Sequence, residues 1–331
     1  MTKYGFITIG SATLLVAACS SPSDDIHGEE NAAEVSGEIS VASAQQEAAL
    51  GNPLVARHQV PQDYDGDGKT DPTVFRPSEG NWYSRLSVFG DTVTPFGVNS
   101  DRLVPGDYDN DKKTDVAVFR PSEGNWYVHL STGAPDMVVN FGVSSDRLVP
   151  GDYDNDGKTD PAVFRPSEGN WYVHLSTGAP DMVVNFGVSS DRLVPGDYDN
   201  DGKTDPAVFR PSEGNWYAHL STGAPDMVIN FGVSSDRLVP GDYDGDGKTD
   251  PAVFRPSEGK WYAHLSKGGP DLVVEWGTST DRLVPGDYDK DGKTDPAVFR
   301  PSEGRWYILA SGGGQIVTTF GVATDRIPYS Q

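Results

Sequence analysis

The sequence predicts an all-β protein: a six-bladed β-propeller of about 45-residue, four-stranded blades, preceded by a signal peptide and a disordered tether. Three observations predict it. The nine-residue run Asp152-Tyr153-Asp154-Asn155-Asp156-Gly157-Lys158-Thr159-Asp160 has copies beginning at Asp63, Asp107, Asp152, Asp197, Asp242 and Asp287, a spacing of 44 once and 45 four times. Each unit carries short apolar runs of β-forming residues. Turn residues such as Pro166-Ser167-Glu168-Gly169 separate those runs. A fixed period in the 40s with this content is the mark of one propeller blade.

In chain order, the first element is an N-terminal address. Lys3 gives a minimal positive region, and Gly5 to Ala18 is apolar but too short to span a bilayer. Leu15-Val16-Ala17-Ala18-Cys19 resembles a bacterial lipobox. That resemblance implies removal of residues 1–18 and lipid attachment at Cys19, the single cysteine of the chain. An ordinary secretory peptide with a chance cysteine is the alternative. Ser20 and Ser21 follow, without the Asp that in this family often retains lipoproteins at the inner membrane. The expected location is therefore the bacterial cell envelope, as an outer-membrane lipoprotein facing the periplasm or the cell surface. Residues 19–53 are rich in Ser, Ala, Glu and Gly, cannot bury a core, and read as a flexible acidic tether.

Residues 54–331 form the propeller, with blades at 54–97, 98–142, 143–187, 188–232, 233–277 and 278–321 and a closing tail at 322–331. In the third blade, Arg147 to Gly151 reads as the first strand and Ala162 to Arg165 as the second. Asn170 to Leu175 reads as the third and Met182 to Gly187 as the fourth. Alternation places Trp171, Val173 and Leu175 on one face and Tyr172 and His174 on the other. The first strand of blade 1, around His58-Gln59-Val60-Pro61, has drifted, and Thr324-Asp325-Arg326-Ile327-Pro328 is a spare copy of that strand. Whether it replaces the drifted strand or caps it stays open.

The acidic runs carry the clearest chemistry. Carboxylates at positions 1, 3, 5 and 9 of one tight loop are oxygen ligands suited to a hard cation, with Ca²⁺ expected and up to six ions. The candidate ligands are Asp63, Asp65, Asp67 and Asp71; Asp107, Asp109, Asp111 and Asp115; and Asp152, Asp154, Asp156 and Asp160. Asp197, Asp199, Asp201 and Asp205; Asp242, Asp244, Asp246 and Asp250; and Asp287, Asp289, Asp291 and Asp295 complete them. An EF-hand is excluded, because position 12 is Val163 inside a β-type run rather than a bidentate Glu between helices. A solvated acidic turn is the bland alternative. Lys112 stands where the other loops have Gly, and that substitution predicts strain and the weakest of the six sites.

The formal charge is −23, and the loops hold 24 of the 49 acidic residues, so six Ca²⁺ would bring the total to −11. The acidity then reads as metal ligation, and no basic cluster exists to neutralise nucleic-acid phosphates.

Phe186-Gly187, recurring in phase with these loops, resembles the FG-GAP (VCBS-type) repeat family, which includes the calcium-binding propeller of integrin α-chains. The resemblance implies calcium in each loop and a role in adhesion or ligand binding, with the partner an extracellular glycan or protein. Glu275-Trp276-Gly277 departs from it.

Arg165, Glu168 and Trp171 and their equivalents are the candidate ligand contacts. The alternative for Trp is packing between blades, and for Arg a pair with a carboxylate, perhaps of a metal loop. The predicted function is a multivalent binding module, with a structural envelope spacer or a polysaccharide-active enzyme as alternatives. Near-equal blades repeat every group, and no catalytic constellation is visible, so the expectation is no catalytic residue and no enzyme.

Overall fold

The computed structural model describes residues 5–9, 12–16 and 61–328. Two units are distinguished, 1–53 and 54–331. In the first, Gly5–Ile9 pairs antiparallel with Ala12–Val16. Cys19, the tether and His58 lie outside the described residues.

The second unit is the expected six-bladed β-propeller. In the third blade the strands are Arg147–Leu148, Ala162–Arg165, Asn170–Val173 and Met182–Asn185, hydrogen-bonded in that order. The register Phe164↔Trp171 and Trp171↔Val184 stacks the large residues on one face. Trp171 and Val173 are buried while Tyr172 between them is half-buried, as the alternation requires. The fourth strand alternates half-buried and exposed residues, which makes it the outer edge of the blade. All three apolar residues of Ala162-Val163-Phe164 are buried, because the second strand is covered on both faces.

The covering comes from the neighbouring blades. Val163 and Tyr172 complete the core of blade 2 around Phe119 and Trp126. Val208 and Tyr217 do the same for blade 3, and Val74 and Tyr83 of blade 1 fill the core of blade 6. Each fully buried Val contributes roughly 1.5–3 kcal/mol, so a Val plugged into the previous blade is a substantial part of the interblade adhesion. That close approach explains the Phe-Gly pair. Gly187 has φ +91°, and a Cβ there would lie 3.0 Å from Val208 Cγ1.

Among the described residues, blade 1 has three strands of its own, beginning at Thr73. Its fourth member is the tail: Phe75 N–H donates to Arg326 O at 2.8 Å and Arg326 N–H to Phe75 O at 2.7 Å. Arg326 thus pairs with Phe75 as Arg147 pairs with Phe164. The spare motif takes the first-strand position and does not merely cap it. Arg76 forks onto Asp325, with Nε at 2.8 Å and Nη2 at 3.0 Å.

Asp325 is fully buried, and it also accepts the Val322 N–H at 2.9 Å. Asp325→Ala is expected to cost about 3 kcal/mol, because it unpairs Arg76, orphans a backbone donor and loosens the closing strand. Urea unfolding checks this, and a loss below about 1 kcal/mol would show that closure does not rest on the pair.

Candidate metal centre

Each acidic loop is folded by its own carboxylates. Asp152 Oδ1 accepts the Asn155 N–H at 2.7 Å, and its Oδ2 accepts the Gly157 N–H at 2.9 Å. Asp160 Oδ2 accepts the Tyr153 N–H at 3.0 Å, which draws the end of the loop back to its start. The turn after the third strand closes over the top: Ser176 N–H donates to Asp160 Oδ1 at 2.7 Å and Thr177 Oγ1–H to Asp154 Oδ2 at 2.8 Å.

This folding brings oxygens of Asp152, Asp154 and Asp160 within 4.8 Å of one another, and does the same for Asp63/Asp65/Asp71, Asp107/Asp109/Asp115 and Asp197/Asp199/Asp205. Position 5 stands aside: Asp156 Oδ1 accepts the Lys158 N–H at 2.8 Å and its Oδ2 the Ser176 hydroxyl at 2.6 Å. The fifth loop differs, gathering Asp242, Asp244 and Asp246. In the sixth, Asp287 Oδ2 accepts the Gly292 N–H and Asp295 Oδ1 the Ser311 N–H as in the third, while Asp289 Oδ2 accepts the Gly312 N–H in place of a threonine hydroxyl.

The clusters can hold a metal ion, and two observations fit a cation. Asp199 Oδ1 and Asp244 Oδ1 are buried with no hydrogen-bond partner. Carboxylates in each cluster are also forced toward the neutral form. Burial pushes Asp71 and Asp205 up to about 7 and Asp115, Asp160, Asp250 and Asp295 up to about 6. For Asp160, backbone donors at Tyr153 and Ser176 oppose the rise and the Asp154 charge adds to it. Such a site holds surplus negative charge that only protons or a cation relieve.

The loops also touch one another. Thr159 N–H donates to Asp107 O at 2.5 Å, Thr204 to Asp152 O at 2.6 Å, and so on round to Thr70 N–H on Asp287 O at 2.7 Å, a closed circuit of six bonds. Position 4 of one loop leans on position 6 of the next: a Cβ on Gly157 would meet Asn110 at 2.7 Å, and one on Gly202 would meet Asn155. Lys112 occupies position 6 of the second loop, at one of these contacts. The loop before it carries Gly66 at position 4, which leaves room for a side chain. Lys112 does adopt φ 71°, and its N–H still donates to Asp107 Oδ2 at 2.9 Å.

The rim candidates divide. Trp171 is fully buried, its N–H donates to Phe186 O at 2.9 Å and its ring tilts against Phe164. No face is open to a ligand, so Trp171 packs the blade. Arg165 forks onto buried Asp146 at 3.0 and 2.9 Å, a partner outside the metal loops, with its guanidinium 4.7 Å above the Tyr172 ring. Glu168 is exposed and accepts the Tyr172 hydroxyl and the Asn170 amide, the latter at 3.2 Å. Sequence reasoning missed Asp146; its signal was Asp-Arg-Leu-Val-Pro recurring in phase with Arg165. His174 Nδ1 lies 2.8 Å from Asp181 Oδ1, and its ring meets Phe141 of the preceding blade.

No protein-family model matches the chain, and no curated protein matches it. Solved structures share the fold. A lectin from Agrocybe aegerita, studied for specific recognition of non-reducing terminal N-acetylglucosamine, is 17% identical with a TM-score of 0.54, over 77% of this chain and 78% of that one. TolB from Acinetobacter baumannii is 14% identical, TM-score 0.54, over 86% and 70%. A streptogramin B lyase is 8% identical, TM-score 0.51, over 80% and 83%. The last corrects the expectation of no enzyme: an enzyme uses this fold, so the fold gives no ground for excluding catalysis.

Two outcomes test the loop geometry. Gly292→Ala, whose Cβ meets nothing within 4 Å, should cost only the left-handed backbone term, about 1 kcal/mol. Gly202→Ala should cost about 2 kcal/mol, because it also displaces Asn155 from Asp201 O. Equal losses in thermal unfolding would contradict the packing of one loop on the next. In chelator, the folded state binds more protons than the unfolded chain between roughly pH 4 and pH 7, since the carboxyl at position 9 of each loop is pushed up to about 6 or 7 from near 3.9. Stability should therefore fall as pH rises through that window, and calcium should flatten the decline. A metal-free Tm that climbs with pH there would oppose the assignment.

Proposed function

We propose that this chain is a calcium-binding propeller of the FG-GAP/VCBS type that serves as a multivalent binding module for an extracellular glycan or protein. The carrying observation is repetition with fixed geometry: the same carboxylate loop and the same rim group recur around one rigid ring. Only oxygen ligands converge in the loops, which suits Ca²⁺, and positions 1, 3 and 9 would hold it. Bound ions would cancel the carboxylate repulsion and lock each loop to its neighbours.

On the rim, exposed Glu168, the Tyr172 hydroxyl and the Asn170 and Asn185 amides offer acceptors and donors suited to hydroxyl groups. The Agrocybe lectin shows that this fold hosts sugar recognition. Weak sites repeated on one ring reach high avidity without any strong single contact. The lipobox-like Leu15 to Cys19 supports an envelope lipoprotein anchored through Cys19, and a tether of residues 19–53 would reach roughly 30 Å.

A glycan array with intact protein, run with calcium and with chelator, tests the reading. Calcium-dependent binding is expected, with a Tm that falls when calcium is withdrawn. Changing Glu168 alone to Gln should weaken binding by a fraction, and changing its five equivalents as well should abolish it. A Tm indifferent to chelator would remove calcium from the account. A blank array and no protein partner would leave a structural spacer.

A further inference from the structure

The first strand of every blade begins with an arginine: Arg102, Arg147, Arg192, Arg237, Arg282 and, through the tail, Arg326. Each reaches into the next blade and donates Nη1–H to the carbonyl of the Asp preceding the next arginine. Arg147 meets Asp191 O at 2.7 Å, Arg192 meets Asp236 O at 2.7 Å, Arg237 meets Asp281 O at 2.7 Å and Arg326 meets Asp101 O at 3.2 Å. The circuit closes on itself. First strands that touch head to tail around six blades, with fourth strands at the outer edge, are the hub of the ring.

These six charges have no carboxylate of their own. The neighbouring Asp146, Asp191 and Asp236 carboxylates are already forked by Arg165, Arg210 and Arg255. Among the described residues, none of the six hub arginines lies within ion-pair distance of an acid. At Arg102, Arg147 and Arg282 the Nη2–H donates to a second carbonyl, of Ser144, Ser189 and Ala323, whereas Arg192 and Arg237 make no such second bond among the described residues and keep that side of the fork open. The charges also crowd. Arg192 is pushed below its ordinary value by burial and then by Arg237, with Asp236 opposing. The hub is separated from the acidic loops: the first strand runs from Arg147 through Gly151 into the loop at Asp152, roughly 3.3 Å per residue. A surface cavity lined by Pro77, Ser78, Asn99, Thr324 and Arg326 opens beside it.

We infer that the arginine hub is a binding site for a multiply charged tetrahedral oxyanion, a sulfate or phosphate group, held between neighbouring guanidiniums. The planar fork of arginine matches such oxygens with two parallel hydrogen bonds, and the anion supplies the missing counter-charge. The inference rests on neither the calcium nor the rim reading.

Phenylglyoxal footprinting of the intact, calcium-loaded chain tests it, with inorganic sulfate, dextran sulfate and neutral dextran compared at one ionic strength. Protection of the hub arginines by sulfate or dextran sulfate is expected, with no change at Arg305, an exposed arginine that opens the third strand of blade 6 and lies 3.6 Å from Glu303. Protection by inorganic sulfate identifies a site for the free ion, and protection by dextran sulfate alone identifies one for a polymer-borne group. The double variant Arg192→Gln/Arg237→Gln should bind dextran sulfate about a hundredfold more weakly, roughly tenfold per guanidinium, while Arg305→Gln binds as before. Should the double variant fail to fold, the footprint on the natural chain decides. Equal reactivity of the hub with every additive, or equal protection of Arg305, would overturn the inference.

Discussion

The buried aspartate at the start of each first strand is the point on which the propeller depends. Asp191 does three things at once. Its carboxylate forks onto Arg210 of its own blade, it caps the Val188 N–H, and its carbonyl receives Arg147 from the blade before. A charge buried to this degree is tolerated only where its hydrogen bonds are complete, and here they are. One residue therefore fixes the strand entry, the second-strand terminus and the angle between blades. Repeated around the ring, it leaves each blade unable to move without its neighbours.

Two further circuits lie in parallel with that one. The valines of the second strands carry the apolar adhesion, each closing a core it does not belong to. The acidic loops carry a polar circuit, threonine N–H onto aspartate carbonyl, at the other end of the same strands. A blade in isolation would expose Val163 on one side and an unfinished core on the other. Stability thus resides in interfaces, and the 45-residue unit is a unit of sequence more than of folding.

Much of this was legible in the sequence because the repeat is so nearly exact. Periodicity in the 40s gave the blades, alternation gave the buried Trp face, and the carboxylate spacing gave the loops. What was hidden lies between repeats. The partner of Arg165 sits 19 residues upstream, in a segment that reads only as the entry to a strand. The room for Lys112 depends on Gly66 in the preceding loop, and no local rule links positions so far apart. Trp276 is a similar case. It replaces Phe at the interface where Leu309 replaces His, and its N–H finds Tyr307 O at 3.1 Å. Such compensations are set by neighbours in space, which a single sequence does not display.

The closure of blade 1 by Arg326 has a consequence for how the molecule is made. Blade 1 is the first to leave the ribosome, yet its innermost strand is supplied after all six blades have been synthesised. Until residues 325 and 326 have been made, Phe75 lacks the Arg326 partner and Arg76 waits for Asp325. An unpaired edge of that kind invites pairing with another chain. The growing polypeptide therefore carries that edge unpaired until residues 324–328 emerge, and any chaperone that guards it must hold the first blade until then.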